Sequence, residues 1–348
     1  MKKNILSVIL ALVMILAVCP AYAEAAHVPG DYIINDDLSD NAAGDWFAEF
    51  KTPNKTSNTA SATISGEKIQ VTHDSTGRAG ADIYFNNNKS EITKPTAISF
   101  IVNKQQASCV VIYAPESSNS MYALWNGSET TKRCNVMSIR SYNSPTATNY
   151  TTSHGTKVYK NGEDVKFTFV IDPVNYEWSL WINDELEHKA FYKKDKLIKY
   201  MRVMFNGTNE LETDDAGNAW PEGKEETVNT VTVDNIKVWE FVKEDATYSG
   251  EGYNNGNLQA GKIALSLPIS YIPSGTDNKV TVLMAAYGKV TNELIAISDI
   301  EEHTFTGAEF HTFTPEMTIP DSAGEYYVKT MIWKSGTLVP LCAADVLE

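Results

Sequence analysis

Cysteine is scarce. The 348-residue chain has four, and Cys19 falls in an N-terminal leader. The odd remainder of Cys109, Cys134 and Cys342 is a poor disulfide framework. Cys109 and Cys134 would need neighbouring strands to pair, yet a strand expected from Ser120 to Trp125 lies between them. In a meander of three strands they stand roughly 9 to 10 Å apart, beyond a disulfide's reach. Buried free thiols are the expectation. Positive charge is also short, with 29 Lys and Arg against 44 Asp and Glu and a net charge of −15. This balance disfavours nucleic acid and anionic membrane surfaces, which require basic patches. It weakly disfavours polyanionic glycans too, so a neutral polysaccharide fits better, although a local basic patch could overrule the sum. Beyond the leader there is no apolar run of membrane-spanning length. His27, His73, His154, His188, His303 and His311 are scattered without metal-ligand spacing. Helical periodicity is nearly absent, and Lys193 to Tyr200 alone reads as either a helical turn or a loop.

The leader has Lys2 and Lys3, an apolar run from Ile5 to Val18, and Ala21-Tyr22-Ala23. A basic start, a short apolar core and a small-x-small site predict a secretory signal peptide over residues 1–23, cleaved after Ala23. A lipid anchor on Cys19 is the alternative, and Val18 argues against it because that processing favours a small residue before the cysteine. The expected location is extracellular, with association to the cell surface left open.

What the chain has in abundance is period-2 alternation. VKFTFVID, YEWSLWIND and VDNIKVWEF between Val165 and Phe241 each alternate apolar and polar residues, the mark of strands with one face on a core. Val165, Phe167, Phe169 and Ile171 share one face, as do Trp178, Leu180 and Ile182, and Asn183-Asp184 reads as a hairpin turn that tolerates positive φ. Further strands are expected at Ala62 to Ile64, Lys68 to Thr72, Ala81 to Phe85, Ala97 to Asn103, Ser108 to Tyr113, Ser120 to Trp125 and Asn135 to Arg140. Short strands parted by Asn, Ser, Gly and Thr clusters predict an all-β sandwich. After Phe241 the composition changes. Residues 243–257 are rich in Gly, Asn, Asp and Glu and read as a linker. Beyond them, six or seven strand-like segments in about 90 residues match an immunoglobulin-like sandwich. The expected partition is thus 31–242, a linker at 243–257, and 258–348.

The order strand, Asp-Pro-Val-Asn turn, strand, Asn-Asp turn, and a closing strand carrying Val-Asp-Asn-Ile-Lys-Val resembles the second half of a concanavalin A-like or laminin G-like jelly roll. DYIINDDL, from Asp31 to Leu38, is similar to the first strand of secreted jelly rolls. KVTVLMAAYGKVTNELIAIS with YYVKTMIWKSGTLVPL resembles a small module common at the carboxyl ends of secreted clostridial proteins, on Val328, Lys329, Met331, Ile332, Trp333, Leu338, Pro340 and Leu341. The first resemblance implies a fold used mostly to hold carbohydrate, and the second a spacer or support. It also implies a structural Ca²⁺, because related modules use acids of the first and closing strands, here Asp36, Asp37 and Asp234.

Catalysis on such a jelly roll would need readable acids. Laminarinase-type hydrolases carry Glu-x-Asp-x-Glu on one strand, which this chain lacks. Asp184-Glu185-Leu186-Glu187 comes nearest but sits at a hairpin, where a solvated turn is the simpler reading. No Gln-x-His of the alginate-lyase type accompanies Tyr192 and Lys194. Sugar binding needs aromatic faces flanked by hydrogen-bonding groups. Tyr113, Tyr122, Trp125, Arg140 and Tyr142 fall on the central strands that line the concave face in this fold, and Trp181 points opposite to the core-facing Trp178. Trp220 is a weaker candidate at a rim. Each of these aromatics could instead be core. The expectation is a secreted, non-catalytic protein that binds polysaccharide, with a structural or adhesive envelope protein and a glycan-degrading enzyme as the alternatives.

Overall fold

The computed structural model describes residues 31–51, 60–73, 79–104, 110–117, 121–125, 137–155, 157–160, 162–194, 196–205, 229–254, 256–272, 278–321, 325–335 and 339–348. The leader, Cys109, Cys134 and Trp220 lie outside the described residues. Among those described there is no helix long and apolar enough to cross a membrane.

The chain is all-β. In order, the first part carries β1 (Ile34–Asp36), β2 (Phe47–Lys51), β3 (Ser61–Ile64), β4 (Ile69–His73), β5 (Ala79–Tyr84), β6 (Thr96–Lys104), β7 (Val110–Tyr113), β8 (Tyr122–Trp125), β9 (Met137–Ser141), β10 (Thr151–His154), β11 (Asp164–Asp172), β12 (Glu177–Ile182), β13 (Glu185–Phe191), β14 (Tyr200–Phe205) and β15 (Asn229–Trp239). An eight-stranded antiparallel sheet runs β13-β12-β11-β6-β15-β4-β3, with β1 on β15. A seven-stranded sheet runs β10-β9-β8-β7-β14-β5-β2. Their inward residues form one jelly-roll core, in which Phe100, Phe167, Phe169 and Trp178 of the first sheet meet Ile83, Ile112, Trp125 and Val203 of the second. The β11–β12 hairpin follows the alternation, with Phe167 opposite Ile182 and Phe169 opposite Leu180. Its turn residues Asn183 (φ 50°) and Asp184 (φ 64°) are both left-handed, the pairing a two-residue hairpin of matching twist requires.

The remainder carries β16 (Phe241–Lys243), β17 (Thr247–Ser249), β18 (Tyr253–Asn254), β19 (Asn257–Leu258), β20 (Gly261–Tyr271), β21 (Lys279–Gly288), β22 (Leu294–Ile297), β23 (Glu301–Thr304), β24 (His311–Phe313), β25 (Glu316–Ile319), β26 (Tyr326–Lys334), β27 (Val339–Pro340) and β28 (Asp345–Leu347). One sheet is built around β20 and the other around β21 and β26. They share a second core that includes Leu267, Ile269, Val282, Met284, Phe305, Phe313 and Val328. Cys342 is buried in it as a free thiol, and that burial pushes its pKa up to about 12.

The linker expected at 243–257 is not one. Only Glu240 separates β15 from β16, and β16 already pairs with β20 in the second sandwich. Thr247–Ser249 adds to the same strand. Lys243 Nζ meets Asp345 Oδ1 at 2.7 Å, and the Tyr248 hydroxyl lies 3.0 Å from Thr330 Oγ1. The segment reads as polar because it forms edge strands with one side in solvent. Over the join, Ala97, Trp239, Val242 and Ile272 are buried together, and the Trp239 indole N–H donates to Ser270 Oγ at 3.1 Å. Limited proteolysis of the native protein is therefore expected to leave 243–257 intact, because cleavage requires local opening of paired strands. Early cuts within that segment, read by mass spectrometry of the fragments, would restore the linker.

Candidate functional site

Alternation along the seven-stranded sheet turns one set of side chains into the core and the other onto the sheet's open face. The register aligns the open-face set. Thr152 lies opposite Arg140, Arg140 opposite Tyr122, and Tyr122 opposite Tyr113. Tyr113 lies opposite Arg202, Arg202 opposite Asp82, and Asp82 opposite Ala48. One row thus crosses all seven strands. Six inter-strand steps give it a length of about 29 Å.

The row has a charged end, an aromatic middle and a paired end. Arg202 Nη2 donates to Asp82 Oδ2 at 2.7 Å while its Nε donates to the other carboxylate oxygen. This fork-to-fork geometry is the strongest that a guanidinium offers. Both side chains are nearly buried, at 10% and 9% exposure. The guanidinium also stacks on Phe50 of β2, 3.5 Å from the ring centroid. On the intervening strand residue 80 is glycine, and a Cβ there would lie 2.8 Å from Met204 Cβ and 3.4 Å from Arg202 Cγ. Burial lifts the Asp82 carboxyl above its ordinary range, and Arg202 pulls part of that back. Beside the pair, Tyr84 and Tyr200 lie ring to ring at 4.8 Å. Burial pushes the Tyr200 phenol well above its usual pKa. Glu116, on the short 3-10 turn Pro115–Ser117, has a buried carboxylate oxygen without a hydrogen-bond partner. Its pKa is raised, chiefly by burial. Tyr113 and Tyr122 are tilted neighbours with centroids 6.0 Å apart. Arg140 closes the row between the rings of Tyr122 and Tyr150, 4.8 and 5.2 Å from their centroids.

Of the residues expected to touch sugar, Tyr113, Tyr122 and Arg140 come together in this row, with Tyr122 only 7% exposed. Trp125 does not. It is 0% exposed in the core, its indole N–H donating to the Tyr159 carbonyl at 3.2 Å. Three positions separate it from Tyr122 on one strand, so the two must point to opposite faces. Tyr142 lies just past the end of β9, in a backbone bridge to Phe191, and is only 4% exposed. Trp181 is outward-facing on the other sheet, as its phase predicts, but it packs against the second sandwich. A Cβ on Gly307 would lie 2.3 Å from its ring. Asp82, Arg202, Tyr84, Tyr200 and Glu116 were missed. Alternation marks Asp82, Tyr84, Tyr200 and Arg202 as outward positions, but only the long-range pairing of β5 with β14 brings them to the same place, and Glu116 joins them from the 3-10 turn, which has no alternation to read.

No family model matches the chain, and no curated protein matches it. Among solved structures it is similar to a sialidase at 10% identity and TM-score 0.36, with 60% of this chain covering 19% of that one. It is similar to a carbohydrate-binding module from Bacillus subtilis at 7% identity and TM-score 0.33, over 56% of this chain and 94% of that one. A GlcNAcα1-4Gal-releasing endo-β-galactosidase from Clostridium perfringens is similar at 10% identity and TM-score 0.38, over 92% and 81% of the respective chains.

The three acids expected to hold Ca²⁺ each contact protein groups. Asp36 accepts from the Leu38 amide with one carboxylate oxygen and from the Trp46 indole with the other. Asp234 accepts from the Asn235 amide and sits 3.4 Å from Lys68 Nζ. Asp37 caps Ser39. Among the described residues no three His, Cys, Asp or Glu side chains are grouped to hold a metal ion.

Proposed function

We propose that the protein is a secreted, non-catalytic polysaccharide-binding protein whose ligand lies across the strands of the seven-stranded sheet, with the second, immunoglobulin-like sandwich as a support. The observation that carries this reading is the aligned row from Arg140 to Asp82. It sets aromatic faces beside hydrogen-bonding side chains in the way a chain of pyranoses requires. At its paired end Asp82 cancels the charge of Arg202, which suits uncharged sugar units.

The same pair supports a non-catalytic role. Glycoside hydrolysis takes two carboxyl groups flanking the scissile bond, one to protonate and one to attack or to activate water. Both oxygens of Asp82 are committed to Arg202, which leaves Glu116 without a free carboxylate partner among the described residues of the row.

Retention on a panel of insoluble and soluble polysaccharides tests the reading. Wild type is expected to bind at least one of them without releasing sugar. Tyr113→Ala should weaken that binding by about 1 to 3 kcal/mol while Tyr113→Phe largely preserves it, because the ring face supplies the contact. Retention by none of the panel, or full binding by Tyr113→Ala, would remove the row as a glycan site. Reducing sugar released by wild type would favour the enzyme.

A further inference from the structure

We infer that the Arg140 end of the row seats an oxyanion of the ligand, so that the glycan recognised carries an acidic sugar unit among neutral ones. The inference rests on the row being a glycan site. On this chain acids outnumber bases, 44 to 29, and basic side chains of the first sandwich commonly have an acid beside them, as in the pairs Lys94–Glu240, Lys166–Asp184, Lys189–Glu177 and Lys199–Glu91. The row's other arginine, Arg202, is held by Asp82. Arg140 has neither an ion pair nor a hydrogen bond to a protein acceptor among the described residues, although its guanidinium is fixed between Tyr122 and Tyr150.

Fixing the guanidinium without pairing it leaves a planar fork of donors already oriented. Such a fork matches the two oxygens of a carboxylate, or those of a sulfate ester, better than it matches a single hydroxyl. The neighbouring groups have the right character for a sugar. Thr152, across from Arg140 on the edge strand β10, is exposed, Tyr150 is 46% exposed, and the Tyr113 and Tyr122 rings continue the row. A single anionic unit also agrees with the net charge of −15, which would repel a ligand charged at every residue.

The test compares one neutral polysaccharide backbone with two derivatives, one bearing occasional uronate units and one bearing occasional sulfate esters. Affinities are measured for the intact protein and for Arg140→Gln and Arg140→Lys. Wild type should prefer one acidic derivative over the neutral backbone by about tenfold, the scale of one charge-assisted hydrogen-bonded contact. That ratio should shrink as salt is raised. Arg140→Gln should bring it close to one, and Arg140→Lys should restore part of it, with circular dichroism and melting confirming that both variants fold. Preference for the uronate arm identifies a carboxylate, and preference for the sulfate arm a sulfate ester. If wild type binds all three alike, or Arg140→Gln keeps the ratio, the inference falls while the glycan site stands. If wild type binds none of the three, and none of the wider polysaccharide panel, both fall.

Discussion

Replacing Arg202 with alanine should lower the unfolding free energy by about 3 to 5 kcal/mol, because it leaves a buried carboxylate without its counter-charge. Asp82 is 9% exposed in the pair, so water replaces few of the lost contacts. Burial already lifts its pKa, and without the guanidinium that effect would be unopposed. The carboxyl would also lose both of its charge-assisted bonds with the guanidinium. Asp82→Ala should cost about as much, since a stranded guanidinium is no easier to bury. The double variant Asp82→Ala/Arg202→Ala should cost clearly less than the sum of the two, because neither charge remains to be desolvated. Urea unfolding of the three variants measures this. A loss below 1 kcal/mol for Arg202→Ala would mean that the pair is solvated and that the row is open to water at this end.

How much of this could be read in the sequence depended on the range of the interaction. The β11–β12 hairpin was legible because its apolar face and its Asn183-Asp184 turn lie within one stretch of chain, and each constrains the other. Tyr113, Tyr122 and Arg140 were legible only as residues of central strands, since the same reading set the core residue Trp125 and the buried Tyr142 beside them. The Asp82–Arg202 pair was not, since its members are 120 positions apart and meet only through the β5–β14 register. Alternation says which way a side chain points without saying what stands opposite. Thr247–Ser249 was hidden for another reason. An edge strand paired on one side and solvated on the other, with exposed, half-buried, exposed residues, has the composition of a linker. Trp181 shows the limit of a correct phase. Its side chain does leave the core, but the surface it reaches is covered by Gly307 of the second sandwich, a partner that its own strand gives no sign of.

Trp125 separates strand phase from composition, and it is the residue whose truncation should most damage the first sandwich. Trp125→Ala is expected to cost about 3 to 5 kcal/mol through the cavity left by a fully buried indole. Trp178→Ala, at 1% exposure in the same core, provides the comparison of like size. Trp125 has two further attachments. Its N–H bond to the Tyr159 carbonyl would be lost, and Lys104, itself fully buried, holds its ammonium 4.9 Å from the ring centroid. A desolvated cation–π contact of that kind contributes about 2 kcal/mol, so Trp125→Ala should melt no higher than Trp178→Ala. Trp125→Phe should recover much of the loss, because it keeps a ring over Lys104 and gives up only the indole N–H and some volume. Tyr122, three positions earlier on the same strand but on the other face, is packed with Val111 and Met204 at 7% exposure, and Tyr122→Ala should both lower the melting point and weaken glycan binding. Thermal melts and polysaccharide affinities measured together decide between the two faces. If Trp125→Ala melted near wild type and lost binding while Tyr122→Ala kept full binding, β8 would be turned over and Trp125 would be the sugar platform.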